Sequence, residues 1–220
     1  MHQSSISVPS SGRPYGGEPK EARVARRRQQ FLQAGLEVFG TTGFRSATVR
    51  GLCKQAGLAD RYFYESFDSL EDVLVGSYLQ QTDRLKAAIL GAITATPSPP
   101  LLSAVVRAAL QALFQVIADP RVARLCWLEV LGVNPRIDAL YARAREEFAM
   151  LLGSQARLYE PAWTLSPEEE RALSEALVGS VNQSIQNWVM TGHRSPPERI
   201  IQASLIIFEG VVMRLNLPPP

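Results

Sequence analysis

Apolar side chains recur at helical spacing along nearly the whole chain from residue 21 onward, and no stretch alternates convincingly with the two-residue period of a strand. The first apolar face carries Phe31, Leu32, Gly35, Leu36 and Phe39. Gly43 follows, where a helix would end. The pattern predicts about nine helices, an all-α fold and no internal repeat.

Capping signals mark where the later helices begin. Ser69 stands three residues before Asp72, which is the spacing of a capping box. Polar caps followed by proline are found at Asp119, Asn134, Ser166 and Ser195. A cluster of prolines with Thr and Ser over 96–100 predicts a turn between two helices.

The last predicted helix is apolar on nearly every side, so it has to be covered all round. Burial inside the monomer is one possible cover and a second subunit is the other. The width of the apolar surface favours a homodimer. The predicted interface lies on the last two helices and consists of Val181, Ile185, Ile201, Leu205, Phe208 and Val212.

Composition narrows the class of protein. Hydrophobic residues make up 46% and charged residues 20% of the 220 residues, as in ordinary globular proteins. Cys53 and Cys126 lie far apart and outside any ligand spacing, so we expect neither a disulfide nor a metal site. No signal peptide or membrane-spanning run is recognisable, which predicts a cytoplasmic protein. No nucleophile–base or phosphate-loop pattern is present, so we expect no enzyme activity and no cofactor.

Charge is distributed unevenly along the chain. Up to residue 61 there are ten basic and four acidic side chains, although the net charge of the whole chain is only +2. A basic end on an acidic body favours a polyanion as partner. Residues 1–20, which are rich in Ser, Pro and Gly, are predicted to form a disordered arm.

Residues 48–67 follow the physical logic of a helix-turn-helix. Thr48 is placed to cap a short first helix, and Gly57 permits the left-handed turn that ends it. A second short helix would begin near Asp60. The spacing of its residues predicts a buried face with Phe63 and Phe67. The exposed face would carry Arg61, Tyr62 and Tyr64. In this motif the exposed face enters the major groove of DNA.

The stretch from about Arg26 to Leu74 resembles the DNA-binding domain of the tetracycline-repressor (TetR) family. The matching positions, in the family's order and spacing, are Phe39, Gly43, Phe44, Thr48, Val49, Leu52, Cys53, Ala56, Gly57, Leu58, Tyr64 and Phe67. Many fixed positions over about fifty residues make this signal specific. The resemblance implies a three-helix helix-turn-helix domain over 21–74. It also implies a six-helix ligand-binding and dimerisation domain over 75–220.

The resemblance implies contacts with double-stranded DNA. Thr48 and Tyr64 would anchor phosphates, and the positions facing bases or sugar edges would be Val49, Asp60, Arg61 and Tyr62. Arg45 and the basic cluster 26–28 would attract the phosphate backbone. Two alternatives stay open: Tyr64 packs in the small core, and the basic cluster is only a solvated helix start.

Three positions depart from the family pattern. Ala59 stands where the family often has a capping Ser, so Asp60 is expected to cap the second helix instead. Ser66 and Leu70 replace a His and a Lys that commonly touch phosphate. We therefore expect either weaker DNA affinity or compensation by the basic N-terminal segment.

The C-terminal domain is expected to bind an apolar small-molecule effector. The predicted pocket residues are Phe114, Trp127, Tyr141, Phe148, Asn182, Gln186 and Trp188, although any single aromatic is more often core than pocket. Ligand would release a repressor dimer from a palindromic operator by changing the separation of the recognition helices, about 34–36 Å. The alternatives are an enzyme on a helical scaffold and a ligand-independent DNA-binding or partner-binding helical module.

Overall fold

The computed structural model describes residues 19–97 and 101–217, and the regular elements in those ranges are all helical. The all-α prediction is therefore confirmed. The predicted arm lies outside the described residues up to residue 18, as does the turn at 98–100, and Lys20 already belongs to the first helix. The described helices are α1 (Lys20–Thr41), α2 (Val49–Ala56), α3 (Asp60–Tyr64), α4 (Leu70–Thr94), α5 (Leu102–Ile117), α6 (Pro120–Arg124), α7 (Pro135–Tyr159), α8 (Pro167–Met190) and α9 (Pro197–Leu215).

Two short segments interrupt this series. A 3₁₀ turn over Phe44–Ser46 lies between α1 and α2, and a π-helical turn over Leu125–Glu129 continues directly from α6. π-helical turns are rare and often occur at functional sites. The two segments are in direct contact, because the Phe44 N–H donates a hydrogen bond to the Glu129 carboxylate.

Five of the predicted caps form, and two, at Asp60 and Ser195, do not. The side chains that accept a hydrogen bond from a first-turn backbone N–H are Thr48, Ser69, Asp119, Asn134 and Ser166. Ser195 is a correction, because α9 begins after Pro196 with no side-chain cap. The Ser195 carbonyl instead accepts a hydrogen bond of 2.8 Å from Nε1 of Trp188. This bond ties the turn after α8 back onto that helix.

Helices α1, α2 and α3 enclose a small aromatic core. Phe31 of α1 and Phe63 of α3 are fully buried, and their rings meet edge to face with centroids 5.6 Å apart. Phe67 packs edge-on against Phe31 at 6.2 Å. The buried face predicted for the second helix of the motif is therefore confirmed.

The C-terminal end of α1 lies directly against α6. A Cβ atom on Gly40 would lie 2.7 Å from Cα of Arg121, so a side chain at this position would separate the two backbones. Arg121 Nη1 donates to the Glu37 carboxylate at 2.6 Å, and Arg124 Nη1 donates to the Thr41 carbonyl at 2.6 Å. Helix α6 is thus fastened to the long helix of the N-terminal end.

The remaining helices form the C-terminal body, in which α4 packs on α5, α7 packs on α8, and α9 packs on α5 and α8. Ile185 of α8 and Leu205 of α9 are 1% exposed and lie in the core of this packing. Within the described residues no single helix is long and apolar enough to cross a membrane. One pair, Leu102–Ile117 with Pro120–Glu129, reaches that length and composition only across a 99° bend.

The outer face of α9 corrects the predicted dimer interface. Of the six predicted residues, four are buried within the monomer and two are half-buried along an internal cavity: Val181, Ile185, Ile201 and Leu205, then Phe208 and Val212. The large exposed apolar side chains of α9 are Ile206, Ile207 and Met213. Ile206 and Met213 are seven residues apart and lie on one side of the helix, with Ile207 next to Ile206. We call these three side chains the outer apolar face.

Candidate nucleic-acid interface and effector cavity

The first helix of the helix-turn-helix is fixed at both ends. Oγ1 of Thr48 accepts a hydrogen bond of 3.0 Å from the Gly51 N–H, and Gly57 adopts a left-handed φ of 66°. These two sequence predictions are confirmed. Val49 is half-buried at the first position of α2, and Arg45 is exposed in the preceding 3₁₀ turn. Both side chains border the entrance to α2.

Neighbouring residues of α3 have opposite environments. Phe63 is fully buried, whereas Tyr64 is 65% exposed and touches the protein mainly through the edge-to-face contact of its ring with Phe63 at 5.2 Å. Arg61 is also exposed, and Tyr62 is half-buried. The alternative in which Tyr64 belongs to the small core is thereby disfavoured. The helix presents a polar, aromatic face to solvent.

Tyr62 lies between two guanidinium groups. Cζ of Arg27 is 3.6 Å from the Tyr62 ring centroid, and Cζ of Arg61 is 4.6 Å from it. Arg61 Nη2 also donates to the Tyr62 hydroxyl at 2.5 Å. The side chain expected to read a guanine is therefore already hydrogen-bonded within the protein.

Two arginines of the basic cluster 26–28 contact the end of the recognition helix, which disfavours the alternative of a merely solvated helix start. Arg27 pairs with the Glu65 carboxylate at 2.9 Å, and Arg28 donates to the Ser66 carbonyl at 2.8 Å. Cζ of Arg28 also lies 4.2 Å from the Phe67 ring centroid. Two of the three arginines thus brace the end of α3, rather than standing free in solvent.

Asp60 does not take over the missing cap. The N-cap residue of α3 is Ala59, without a side-chain hydrogen bond, and Asp60 is the first helical residue. The pKa of the Cys53 thiol on α2 is raised to about 11, mainly by burial and also by the nearby Asp60 carboxylate. The expectation of a cap at Asp60 is wrong, because Asp60 is itself helical and the N-cap position is occupied by Ala59.

The two other departures from the family pattern, Ser66 and Leu70, lie between the end of α3 and the first residue of α4. Leu70 begins α4 and packs against the hydrophobic core. The Ser66 carbonyl is the acceptor used by Arg28, and among the described residues its buried hydroxyl has no hydrogen-bond partner. Neither residue offers a cation to phosphate.

The C-terminal body contains a cavity of about 520 Å³, within the usual range of small-molecule sites. Four of the seven predicted pocket residues line it: Trp127, Tyr141, Phe148 and Asn182. The other three are corrections. Phe114 and Trp188 pack on each other with centroids 5.6 Å apart, away from the lining, and Gln186 is half-buried outside it.

A small polar cluster stands at one end of this largely apolar cavity. Asn182 Oδ1 accepts from Trp127 Nε1 at 2.9 Å, and Asn182 Nδ2 donates to the Tyr141 hydroxyl at 2.8 Å. Tyr78 lines the same end, and burial raises the pKa of its hydroxyl well above the ordinary value. These groups provide neutral hydrogen-bonding atoms in an apolar surrounding.

The cavity and the helix-turn-helix are joined by the π-helical turn. Trp127 of this turn lines the cavity, and two residues later the Glu129 carboxylate accepts a 2.7 Å hydrogen bond from the Phe44 N–H. Arg124 Nε donates to the same carboxylate at 2.7 Å. No local pattern in the sequence singles out Glu129, because its partner Phe44 lies 85 residues away.

Within residues 19–97 and 101–217, no group of three or more His, Cys, Asp or Glu side chains is arranged to hold a metal ion. The two candidate sites in the described structure are the exposed face of α3 and the cavity.

Comparison with known proteins supports the helix-turn-helix as a separate functional segment. Residues 31–75 match the family model described as bacterial regulatory proteins, tetR family. No curated protein matches the chain. The matched segment spans the end of α1 through the start of α4, which includes the whole helix-turn-helix.

Solved structures share the fold over most of the chain. The fatty acid degradation regulator FadR from Bacillus halodurans superposes with a TM-score of 0.72 at 19% identity, covering 82% of this chain and 93% of that one. FadR from Bacillus subtilis, solved in complex with stearoyl-CoA, superposes with a TM-score of 0.70 at 17% identity, covering 81% of this chain and 96% of that one. A TetR-like transcriptional regulator from Rhodococcus sp. RHA1 superposes with a TM-score of 0.64 at 15% identity, covering 88% of this chain and 98% of that one. What these proteins share with this chain is the all-helical architecture.

Proposed function

We propose that this chain, whose residues 31–75 match the tetR family model, is a transcriptional regulator of that family. It is a repressor that binds a palindromic operator as a homodimer and is released by a small, largely apolar ligand. The observation that carries the proposal is the split environment of α3, where Phe63 is fully buried and the adjacent Tyr64 is 65% exposed. A helix held this firmly with a polar face outward suits insertion into a major groove.

The proposed DNA contacts divide into two kinds. Thr48 and Tyr64 hold phosphates and set the register, while Arg45 adds attraction to the backbone. Bases or sugar edges are faced by Val49, Asp60, Arg61 and Tyr62. Arg61 is suited to guanine, because a guanidinium donates in a bidentate manner to its O6 and N7 atoms.

Dimerisation is proposed through the outer apolar face. Ile206 and Met213 are each 69% exposed, which is costly for large apolar side chains left in water. A two-fold axis through this face would bring α8 and α9 of two subunits together. It would also leave both copies of α3 at the far end of the assembly, where they can occupy successive major grooves.

Release by ligand is proposed to run through the π-helical turn. A molecule in the cavity touches Trp127, and Glu129 on the same turn is bonded to the 3₁₀ turn that precedes α2. A ligand that favours a shifted position of this turn opposes DNA binding by a reciprocal coupling energy. The domains proposed over 21–74 and 75–220 are thus mechanically joined at this point.

The cavity favours a ligand-responsive regulator over the ligand-independent module. A volume of about 520 Å³ with a mostly apolar lining is suited to an extended hydrocarbon. The stearoyl-CoA complex of FadR from Bacillus subtilis, which has the same fold, supports an effector of this kind. We place the regulator in the cytoplasm, with no catalytic role.

The test is binding of the purified protein to the intergenic region upstream of its own gene. Tight, salt-sensitive binding at a near-palindrome is expected, and Arg61→Ala and Tyr64→Phe should weaken it. Loss of a bidentate contact should cost about 1–3 kcal/mol and relax specificity at one base pair. Binding that is indifferent to both substitutions would contradict the assigned interface.

A further inference from the structure

We infer that the cavity takes an elongated apolar molecule with an anionic head, a carboxylate or comparable oxyanion, and that Arg145 holds this head. The inference rests on the proposed function, since it assigns a ligand class to the proposed effector site. Arg145 has no role in the sequence-based predictions. Its position relative to the cavity, its missing partner and its neighbours together point to it.

Arg145 lies on α7 one turn after Tyr141, so both side chains face the same side of the helix and both line the cavity. Its guanidinium extends over α8, where Nη2 is 3.7 Å from the place that a Cβ atom on Gly179 would occupy. The glycine leaves room for the guanidinium between the two helices. The residue is exposed overall, so a charged ligand head held there keeps part of its hydration.

Among the charged residues that line the cavity, Arg145 is a cation whose charge is not offset by an ion pair in the described structure. The charged side chains that line the cavity are Arg145, Arg157, Glu160 and Glu170. Arg157 donates to both carboxylate oxygens of Glu170, at 2.5 and 2.6 Å, so these two charges offset each other. Arg145 has no ion-pair partner within residues 19–97 and 101–217. Glu160 follows the C-terminal end of α7, which lies fourteen residues or about 21 Å of helix beyond Arg145, and is therefore too distant to pair with it.

The neighbours of Arg145 are hydrogen-bond donors. Tyr141 lies about 6 Å away along α7, and Asn182 lies one turn beyond Gly179 on α8. The Tyr141 hydroxyl accepts from Asn182 Nδ2 at 2.8 Å and donates to Asn182 Oδ1 at 3.1 Å, so an oxyanion in the cavity competes with that amide oxygen for the Tyr141 proton. A guanidinium beside a hydroxyl donor favours an oxyanion and disfavours an ammonium group. A hydrocarbon end placed there would leave the guanidinium without hydrogen-bond acceptors from the ligand.

The rest of the lining fixes the shape and polarity of the ligand. From Tyr78 to Ile93 one side of α4 follows the cavity over fifteen residues, which is about 22 Å. Along α5 the lining is aliphatic, from Leu102 to Leu113. A linear chain matches this long apolar path better than a compact ring system.

The experiment is calorimetric titration of the full-length protein, without DNA, with three probes of one chain length. The probes are undecanoate, methyl nonyl ketone and undecylamine, which differ in the charge of the head. The variants are Arg145→Met, Arg145→Lys and the matched control Arg143→Met. Arg143 is on the same helix but lies outside the cavity. Sedimentation of each variant reports whether the assembly is preserved.

Undecanoate is expected to bind the wild-type protein most tightly and undecylamine least. Arg145→Met should weaken undecanoate about tenfold to a hundredfold, the usual effect of losing a hydrogen bond to a charged group. Arg145→Met should leave ketone binding and assembly unchanged. Arg145→Lys should recover part of the lost undecanoate affinity. The control Arg143→Met should have no effect on the binding of any probe.

The inference is overturned if undecanoate binds no better than the ketone, if none of the probes binds, or if Arg145→Met changes assembly instead of head-group preference. Operator binding is then measured separately with undecanoate present. If undecanoate binds through Arg145 without releasing DNA, the ligand class stands and the proposed release mechanism fails. If an uncharged ligand releases DNA while undecanoate does not bind, the regulator stands and the ligand class fails.

Discussion

The backbone N–H of Phe44 donates a 2.7 Å hydrogen bond to the carboxylate of Glu129, two residues beyond a tryptophan that lines the cavity. The donor belongs to the 3₁₀ turn before α2, and the acceptor belongs to the π-helical turn after α6. Glu129 is 14% exposed at its side chain and is also paired with Arg124. This carboxylate is therefore a short physical link between effector cavity and helix-turn-helix.

Glu129→Ala should weaken the communication between the two sites. The substitution leaves the Phe44 N–H without its acceptor and removes one of the two acceptors of Arg124, which should cost about 1–3 kcal/mol of unfolding free energy. Denaturant titration measures that loss. Operator affinity, measured with and without a bound ligand, should show a smaller ligand effect than in the wild-type protein. Glu146→Ala, at an exposed site on α7, is the control, and an undiminished ligand effect in Glu129→Ala would exclude this link.

Arg27→Met should weaken operator binding by loosening α3. The change removes the ion pair with Glu65, worth up to about 1 kcal/mol at a half-exposed site, and the stacking on Tyr62. Binding should weaken at every salt concentration while the slope of log affinity against log salt stays the same, because no phosphate contact is lost. Arg23→Met, an exposed change on the same helix, is the control. A slope reduced by about one would instead assign Arg27 to a phosphate.

Ile206→Asp should dissociate the proposed dimer without unfolding the monomer. Ile206 is 69% exposed on the outer apolar face, so a carboxylate there remains hydrated in the monomer and is buried only in the assembly. Sedimentation velocity should show the monomer, with the helical circular dichroism retained. Met150→Asp places the same charge on α7 at a residue that is 64% exposed, and should leave the assembly intact. If Met150→Asp dissociates the protein and Ile206→Asp does not, the two-fold interface lies on α7.

Two glycine-to-alanine substitutions should have opposite effects on stability. Gly40→Ala places a methyl group against the backbone of Arg121 and should lower the unfolding free energy by about 1–3 kcal/mol. Gly91→Ala meets no atom within 4 Å near the end of α4, and should raise stability by up to about 1 kcal/mol. Thermal unfolding of both variants provides the comparison. Equal effects would contradict the close approach of α1 and α6.

The sequence predicts the local features of this fold well, because their causes are local. The cap at Thr48, the left-handed Gly57 and the alternation of Phe63 with Tyr64 each depend on residues within one or two turns. These features determine the shape of the helix-turn-helix. The resemblance to one family then supplied its candidate contacts.

Features that depend on packing between distant helices could not be predicted in the same way. Leu205 and Ile206 are adjacent and equally apolar, yet the first is 1% exposed and the second is 69% exposed. An all-round apolar helix carries no periodicity that tells one side from the other. For the same reason the sequence predicts Phe114 in the cavity, whereas the structure packs it on Trp188. Arg145 lines the cavity, but no pattern in the sequence distinguishes it from the other arginines of α7.

The resting contact between Arg61 and Tyr62 has a consequence for the proposed recognition of an operator. A guanine would have to compete with the Tyr62 hydroxyl for a guanidinium that already has an acceptor at 2.5 Å. Under the proposed function, Arg61 would engage a base only where the free energy gained exceeds that of the internal bond. Part of the discrimination between DNA sequences would then be set by a contact within the protein.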